Sequence, residues 1–220
     1  MSALYNQQFI ANPIGFINRY SVDIKTWFEG LMRSTSTASR LSGMLVSFNA
    51  RKGWGFFDLE PVGGFMGFGI DTVEVRMAND GIGAYWVPYH AGLGLPGYAD
   101  VKRANPDYPF VFTAGMNGCA FVVTDSPKGA AWMRIYHNQH PDVDSVWQAI
   151  HGVGQPVISF AGPDDYIVGT LARGMNPVAF NFLYYRNGVW NYVFQPQAFN
   201  ALSQAPARRL MGQASSRSVF

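Results

Sequence analysis

The single cysteine of this 220-residue chain, Cys119, stands in the stretch FVFTAGMNGCAFVVTDSPKGAAWMRIYH, which begins at Phe110 and ends on His137. A cysteine attacks carbonyl carbon as the thiolate, and a neighbouring imidazole can take the thiol proton and later deliver it to a departing amine. Cys119 opens an apolar run, Ser126-Pro127-Lys128-Gly129 supplies a turn, and a second apolar run leads to His137. This pattern predicts a β-hairpin. With Asp125 opposite Ala131, Phe121 faces Ile135 and Cys119 faces His137. Side chains alternate along a strand with period two, so both point to one face, with facing Cβ atoms about 4.5 to 5.5 Å apart. Thr113 carries a hydroxyl that can orient the imidazole, the third member such pairs generally need. Gly115 and Gly118 allow close approach to the sulfur, and the backbone N–H groups of Gly118 and Cys119 are candidates for an oxyanion hole. Against this stands the bland reading of a cysteine in an apolar strand, an inert small hydrophobe.

The elements that must position these residues follow from pattern and composition. Hydrophobic residues make up 48% and aromatics 15%, which excludes general disorder. Gly and Pro together punctuate runs of β-branched and aromatic residues, as strands separated by turns require. Strands are expected around Met44–Ala50, Gly55–Leu59, Thr72–Met77, Ala84–Tyr89, Val157–Phe160, Tyr166–Leu171, Ala179–Tyr185 and Val189–Phe194. Asn187-Gly188 marks a hairpin between the last two. Ile24, Trp27, Phe28, Leu31 and Met32 share one face of a helix that Ser21 would cap, with Asp23 in its first turn. A second helix is expected over Asp142–Ile150, with Pro141 near its first position and Gly152 in a left-handed C-terminal turn. The fold class is therefore α+β, a mostly antiparallel β sandwich flanked by helices. Residues 1–200 are expected to form a single catalytic domain and 201–220 a flexible tail.

A net charge of +2 spread along the chain gives no basic field for nucleic acid. No window approaches the roughly 18 apolar residues of a membrane helix, and no secretory leader is read at the N-terminus. A lone cysteine forms no intramolecular disulfide, and no cofactor is expected. Gly63–Gly69 matches neither a P-loop nor a dinucleotide fingerprint. His137 and His140 with Asp142 or Asp144 offer a weak metal-ligand pattern without a fourth ligand at proper spacing. His90 and His151 read as structural.

Ala84–His137 resembles the catalytic core of Burkholderia lethal factor-like glutamine deamidase toxins, related in fold to the catalytic domain of cytotoxic necrotizing factors. The matching residues are Phe112-Thr113, Asn117-Gly118-Cys119 and Tyr136-His137, with Tyr85-Trp86-Val87-Pro88-Tyr89 resembling an upstream Trp-Leu-Pro-Trp stretch. Asn117 stands where those toxins have Ser, and the hairpin between Cys and His is longer here. The resemblance implies Cys119 as nucleophile, His137 as base and acid, and Thr113 as the orienting member. It implies a monomer made in the bacterial cytoplasm that deamidates a glutamine of a host protein in the host cytosol. The target would be a translation-initiation RNA helicase or a Rho-type GTPase. Transglutamination is the nearest chemical variant. The alternative from another class is a non-catalytic β-sandwich module that binds a glycan or protein through aromatics such as Trp54, Trp86 and Trp190.

Overall fold

The structure is a computed structural model that describes residues 2–24, 53–62, 72–90, 92–167, 169, 171, 173–200, 208–209 and 213–220. Two short helices open it, α1 (Ser2–Ala11) and α2 (Pro13–Arg19), the second capped by the Asn12 side chain, which accepts from the Gly15 N–H at 3.0 Å. Strands β1 (Ser21–Asp23), β2 (Trp54–Pro61), β3 (Thr72–Ala78), β4 (Ile82–Val87), β5 (Gly97–Lys102), β6 (Phe110–Thr113), β7 (Ala120–Asp125) and β8 (Trp132–Asn138) follow. Helix α3 (Asp144–His151) precedes β9 (Val157–Ala161), β10 (Met175–Arg186), β11 (Val189–Asn200), β12 (Arg208–Arg209) and β13 (Ser215–Ser218).

The strands form two sheets. The large one runs β1-β3-β2-β4-β6-β10-β11-β12, with β13 also on β11; the small one runs β5-β8-β7-β9. Pairing is antiparallel except for β1 with β3 and β4 with β6. The architecture is the expected α+β sandwich, built as four layers. Phe9 of α1 is buried on the outer face of the large sheet, its ring 5.1 Å from that of Phe110 and 5.5 Å from Phe182. The opposite face of that sheet, with Val87, Val111, Leu183 and Tyr192, packs on Phe121, Val123, Met133 and Ile135 of the small sheet. Val146 and Ile150 of α3 cover Val122 and Tyr136 on the far side. Central strands such as β6 and β7 are thus covered on both faces and read as continuous hydrophobic runs, whereas β2 and β5 keep the alternation of half-covered strands.

The large sheet curls until its first edge meets β11, and side chains close the gap. The Gln195 amide N–H₂ donates to the carbonyls of Ile17 and Tyr20, each at 2.6 Å, and its Oε1 accepts from the Val22 N–H at 2.9 Å. Gln197 Nε2 donates to the Val22 carbonyl at 2.5 Å and to Gln195 Oε1 at 2.7 Å. Two buried glutamines therefore do for β1 what a neighbouring strand's backbone would do.

Several expectations need correction. Ser21 is no helix cap: Ser21–Asp23 is a buried strand in parallel register with Thr72–Glu74. The helix expected from Ile24 onward and the strand expected at Met44–Ala50 lie outside the described residues, apart from Ile24 itself. Tyr166–Leu171 is not a strand where described; Tyr166 follows a 3₁₀ turn, Pro163–Asp165. Helix α3 begins after Pro141, and Gly152 keeps a right-handed φ of −62°, the left-handed turn falling instead on Gly154. Ser215–Ser218, placed in the expected tail, pairs with β11, and the Val219 N–H donates to the Trp190 carbonyl at 2.9 Å. The Asn187-Gly188 hairpin forms as read, both residues at positive φ. Replacing Gln195 by Ala strands three buried backbone groups, and the unfolding free energy should fall by about 2 to 4 kcal/mol. Urea unfolding checks this as a lower midpoint at an unchanged slope.

Candidate functional site

The predicted triad sits between the two sheets. Thr113, the last residue of β6, is fully buried, and its Oγ1 lies 2.5 Å from His137 Nδ1 on β8. The same hydroxyl is 2.9 Å from the Val87 carbonyl. A hydroxyl has one proton, and a carbonyl can only accept, so that proton goes to Val87. Thr113 must then accept from Nδ1–H, which fixes the tautomer and leaves Nε2 with a free lone pair. Nε2 is buried and has no partner among the described residues. The contact between Thr113 and His137 thus leaves one ring nitrogen free to accept a proton.

The register differs from the reading by two residues. Phe121, not Cys119, stands opposite His137, and Asp125 pairs with Met133 rather than Ala131. The cause lies in the connection, where two turns follow one another: the Gly129 N–H donates to the Ser126 carbonyl and the Trp132 N–H to the Gly129 carbonyl. The second turn consumes the extra residues. A shift of two preserves the face, so Cys119 and His137 remain on the same side, diagonal to one another, where Cα atoms are about 7 to 8 Å apart. Cys119 is 7% exposed and its S–H points to the Asn117 carbonyl at 3.9 Å; it makes no hydrogen bond to His137. Gly118 takes a φ of +79°, a conformation that favours glycine immediately before the sulfur.

Electrostatics follow burial. His137 is wholly enclosed, and loss of solvent lowers its pKa from the usual 6.5 to about 3. Burial likewise pushes the Cys119 thiol above its ordinary value, against a smaller opposing effect of the Asn117 backbone. Thiol and imidazole are therefore both neutral in this closed arrangement, not a thiolate–imidazolium pair.

Two tyrosines to which the sequence reading assigned no role lie against the pair. The Tyr89 ring meets the His137 ring edge to face, with centroids 5.5 Å apart at 80°. The Tyr166 hydroxyl donates to the Cys119 carbonyl at 2.7 Å, fixing the backbone at the sulfur. Gly97 faces His137 in the ladder, and a Cβ built on it would lie 1.9 Å from the Pro88 carbonyl oxygen. Only glycine lets the chain at Pro88-Tyr89 pass that close. Other expectations fail here. Trp86 and Trp190 are buried in the cores rather than displayed, and Trp54 is half-buried. Among the described residues no group of three His, Cys, Asp or Glu side chains comes together, so the fold does not gather His137, His140, Asp142 and Asp144 into one cluster.

Against this geometry stand the comparisons with known proteins. The family model described as Mcf1 activator-binding domain matches residues 5–219. The chain belongs to the Mcf1 activator-binding domain family. The match spans both sheets, so the family's unit is the whole four-layer sandwich rather than the hairpin carrying Cys119. A search of curated proteins finds no match.

Two measurements test the closed, neutral pair. A histidine buried neutral binds fewer protons folded than unfolded, so its contribution to stability is whole above about pH 6.5 and is lost as pH falls toward 3. The expected loss from this group is on the order of 1 kcal/mol per pH unit across that window. Denaturant melts at several pH values should show a shallower slope for His137→Asn than for the wild type. In the native protein Cys119 should react with iodoacetamide more slowly at pH 8 than a free thiol, and at the ordinary rate once unfolded.

Proposed function

We propose that this chain is a protein-binding domain whose ligand is an activator protein. The observation that carries the reading is the family match over residues 5–219, a family described by the binding of an activator. The chemistry of the interior supports it: the nucleophile candidate is a buried neutral thiol, and its base is sealed under Tyr89. What the fold offers a partner is a rigid framework with covered cores and exposed connections. Affinity capture from host lysate on the native domain should enrich one stoichiometric protein that a heat-denatured domain does not retain. Titration of the purified partner should then give a saturable 1:1 isotherm unchanged by Cys119→Ser. The absence of any saturable partner would overturn the reading.

A second reading is favoured by the Thr113–His137 bond and the unpartnered Nε2 on the face of Cys119. In it the domain is a protein-glutamine deamidase acting on a host protein in the host cytosol. His137 takes the thiol proton, sulfur attacks the carboxamide carbon, and the tetrahedral oxyanion collapses to a thioester as His137 returns the proton to leaving ammonia. Water, deprotonated by neutral His137, then releases glutamate and the thiol; capture by an amine would give transglutamination instead. Cys119 would have to become accessible first. Incubation with host lysate should yield a Gln-to-Glu peptide with the wild type and none with Cys119→Ser or His137→Ala. Identical peptide maps would end this reading.

A further inference from the structure

A short series of contacts joins the C-terminal strand to the backbone of Cys119. The pairing of β7 with β9 ends at Phe121 and Ala161, and Gly162 then leads into the 3₁₀ turn Pro163–Asp165. The chain therefore leaves the small sheet just where a longer β9 would flank Cys119. Tyr166, the residue after the turn, comes back instead and sets its hydroxyl on the Cys119 carbonyl at 2.7 Å. The ring is buried, and burial raises the phenol pKa, so the hydroxyl stays a donor. It supplies the partner that a buried backbone carbonyl requires.

The turn that aims Tyr166 is gripped from the other sheet. Within it, the Gly162 N–H donates to Asp165 Oδ2 at 2.9 Å and the Tyr166 N–H to the Pro163 carbonyl at 3.1 Å. Arg217 of β13 holds Asp165 through Nε at 3.0 Å and Nη2 at 3.1 Å, and Nη2 also donates to the Phe160 carbonyl. Strand β13 belongs to the large sheet and β9 to the small one, so the Arg217–Asp165 pair ties the two together at this edge. The outer end of the series is open to water, with the Arg217 and Asp165 side chains 41% and 27% exposed, whereas Tyr166 at the inner end is sealed. An exposed ion pair contributes little to global stability, and a local opening can break it while the sheets stay folded.

We infer that Tyr166 is a latch on Cys119, and that β13 sets the latch through Arg217 and Asp165. With the strand docked, the sulfur is kept back from solvent; undocking it frees Asn117–Cys119 to open. Gly118 gives that segment room to move, with a φ of +79° and no neighbouring atom within 4 Å of the place a Cβ would take. Opening uncovers a thiol on the same face as His137, a fully buried side chain whose Nε2 has no partner among the described residues. The inference goes beyond both functional readings and needs neither an identified partner nor a substrate.

The test is iodoacetamide labelling of Cys119 in the purified domain, followed by mass spectrometry at urea concentrations below the unfolding transition. Tyr166→Phe keeps the ring and removes the donor, and should raise the labelling rate about fivefold or more. Arg217→Gln and Asp165→Asn should each raise it about two- to threefold. Neither should add to Tyr166→Phe when combined with it, since all three act through one hydroxyl. A latch opens locally, so the raised rates should stay flat in urea. Rates that climb with urea along the global unfolding curve report a destabilised fold and overturn the inference. So does a Tyr166→Phe rate equal to that of the wild type, or an Arg217→Gln effect that multiplies in full on the Tyr166→Phe background. None of these outcomes touches the protein-binding or deamidase readings, which partner capture and the peptide maps decide.

Discussion

The space between the two sheets imposes the governing constraint. Stacked sheets lie about 10 Å apart, room for interdigitated side chains and little else, so each polar group there must find a partner inside the protein or stay uncharged. Thr113 and His137 meet that demand together, one hydroxyl serving a carbonyl of its own sheet and an imidazole of the other. From this follow the imidazole's tautomer, its neutrality and the direction of its free nitrogen. The same burial leaves Cys119 a thiol. A single environment thus sets a thiol and an imidazole on one face and keeps both uncharged.

Family membership and interior chemistry are compatible when seen this way. A domain that binds a protein needs a stable framework, and the two aromatic cores supply one, with α1 on one outer face and α3 on the other. The polar pair inside does not weaken that framework so long as it remains uncharged.

What the sequence made legible is the period-two signal. It identified both strands of the hairpin, the shared face of Cys119 and His137, and the Asn187-Gly188 turn. Alternation fixes a face but leaves register free in steps of two, and the consecutive turns at Ser126–Trp132 used that freedom. Ser21 and Asp23 looked like a helix start because caps and edge strands draw on the same small polar residues. Tertiary pairing with β3 decided the matter. Gly152 matched a C-terminal signal that Gly154, two residues on, also matched. The roles of Tyr89 and Tyr166 carried no local signal, since only the fold brings Tyr89 to His137 and Tyr166 to the Cys119 carbonyl.

The glutamine closure has a bearing on biogenesis. Residues 17–22 obtain their hydrogen-bond partners from side chains 173 to 178 positions later in the chain. On a ribosome, which releases the chain from its beginning, the outer rim of β1 stays unmatched until Gln195 and Gln197 have emerged, 175 residues after Tyr20 and Val22. An uncovered strand rim is a template for adhesion between nascent chains. Slow elongation, or a stall before Gln195 clears the exit tunnel, would lengthen the interval in which a holdase has to shield it.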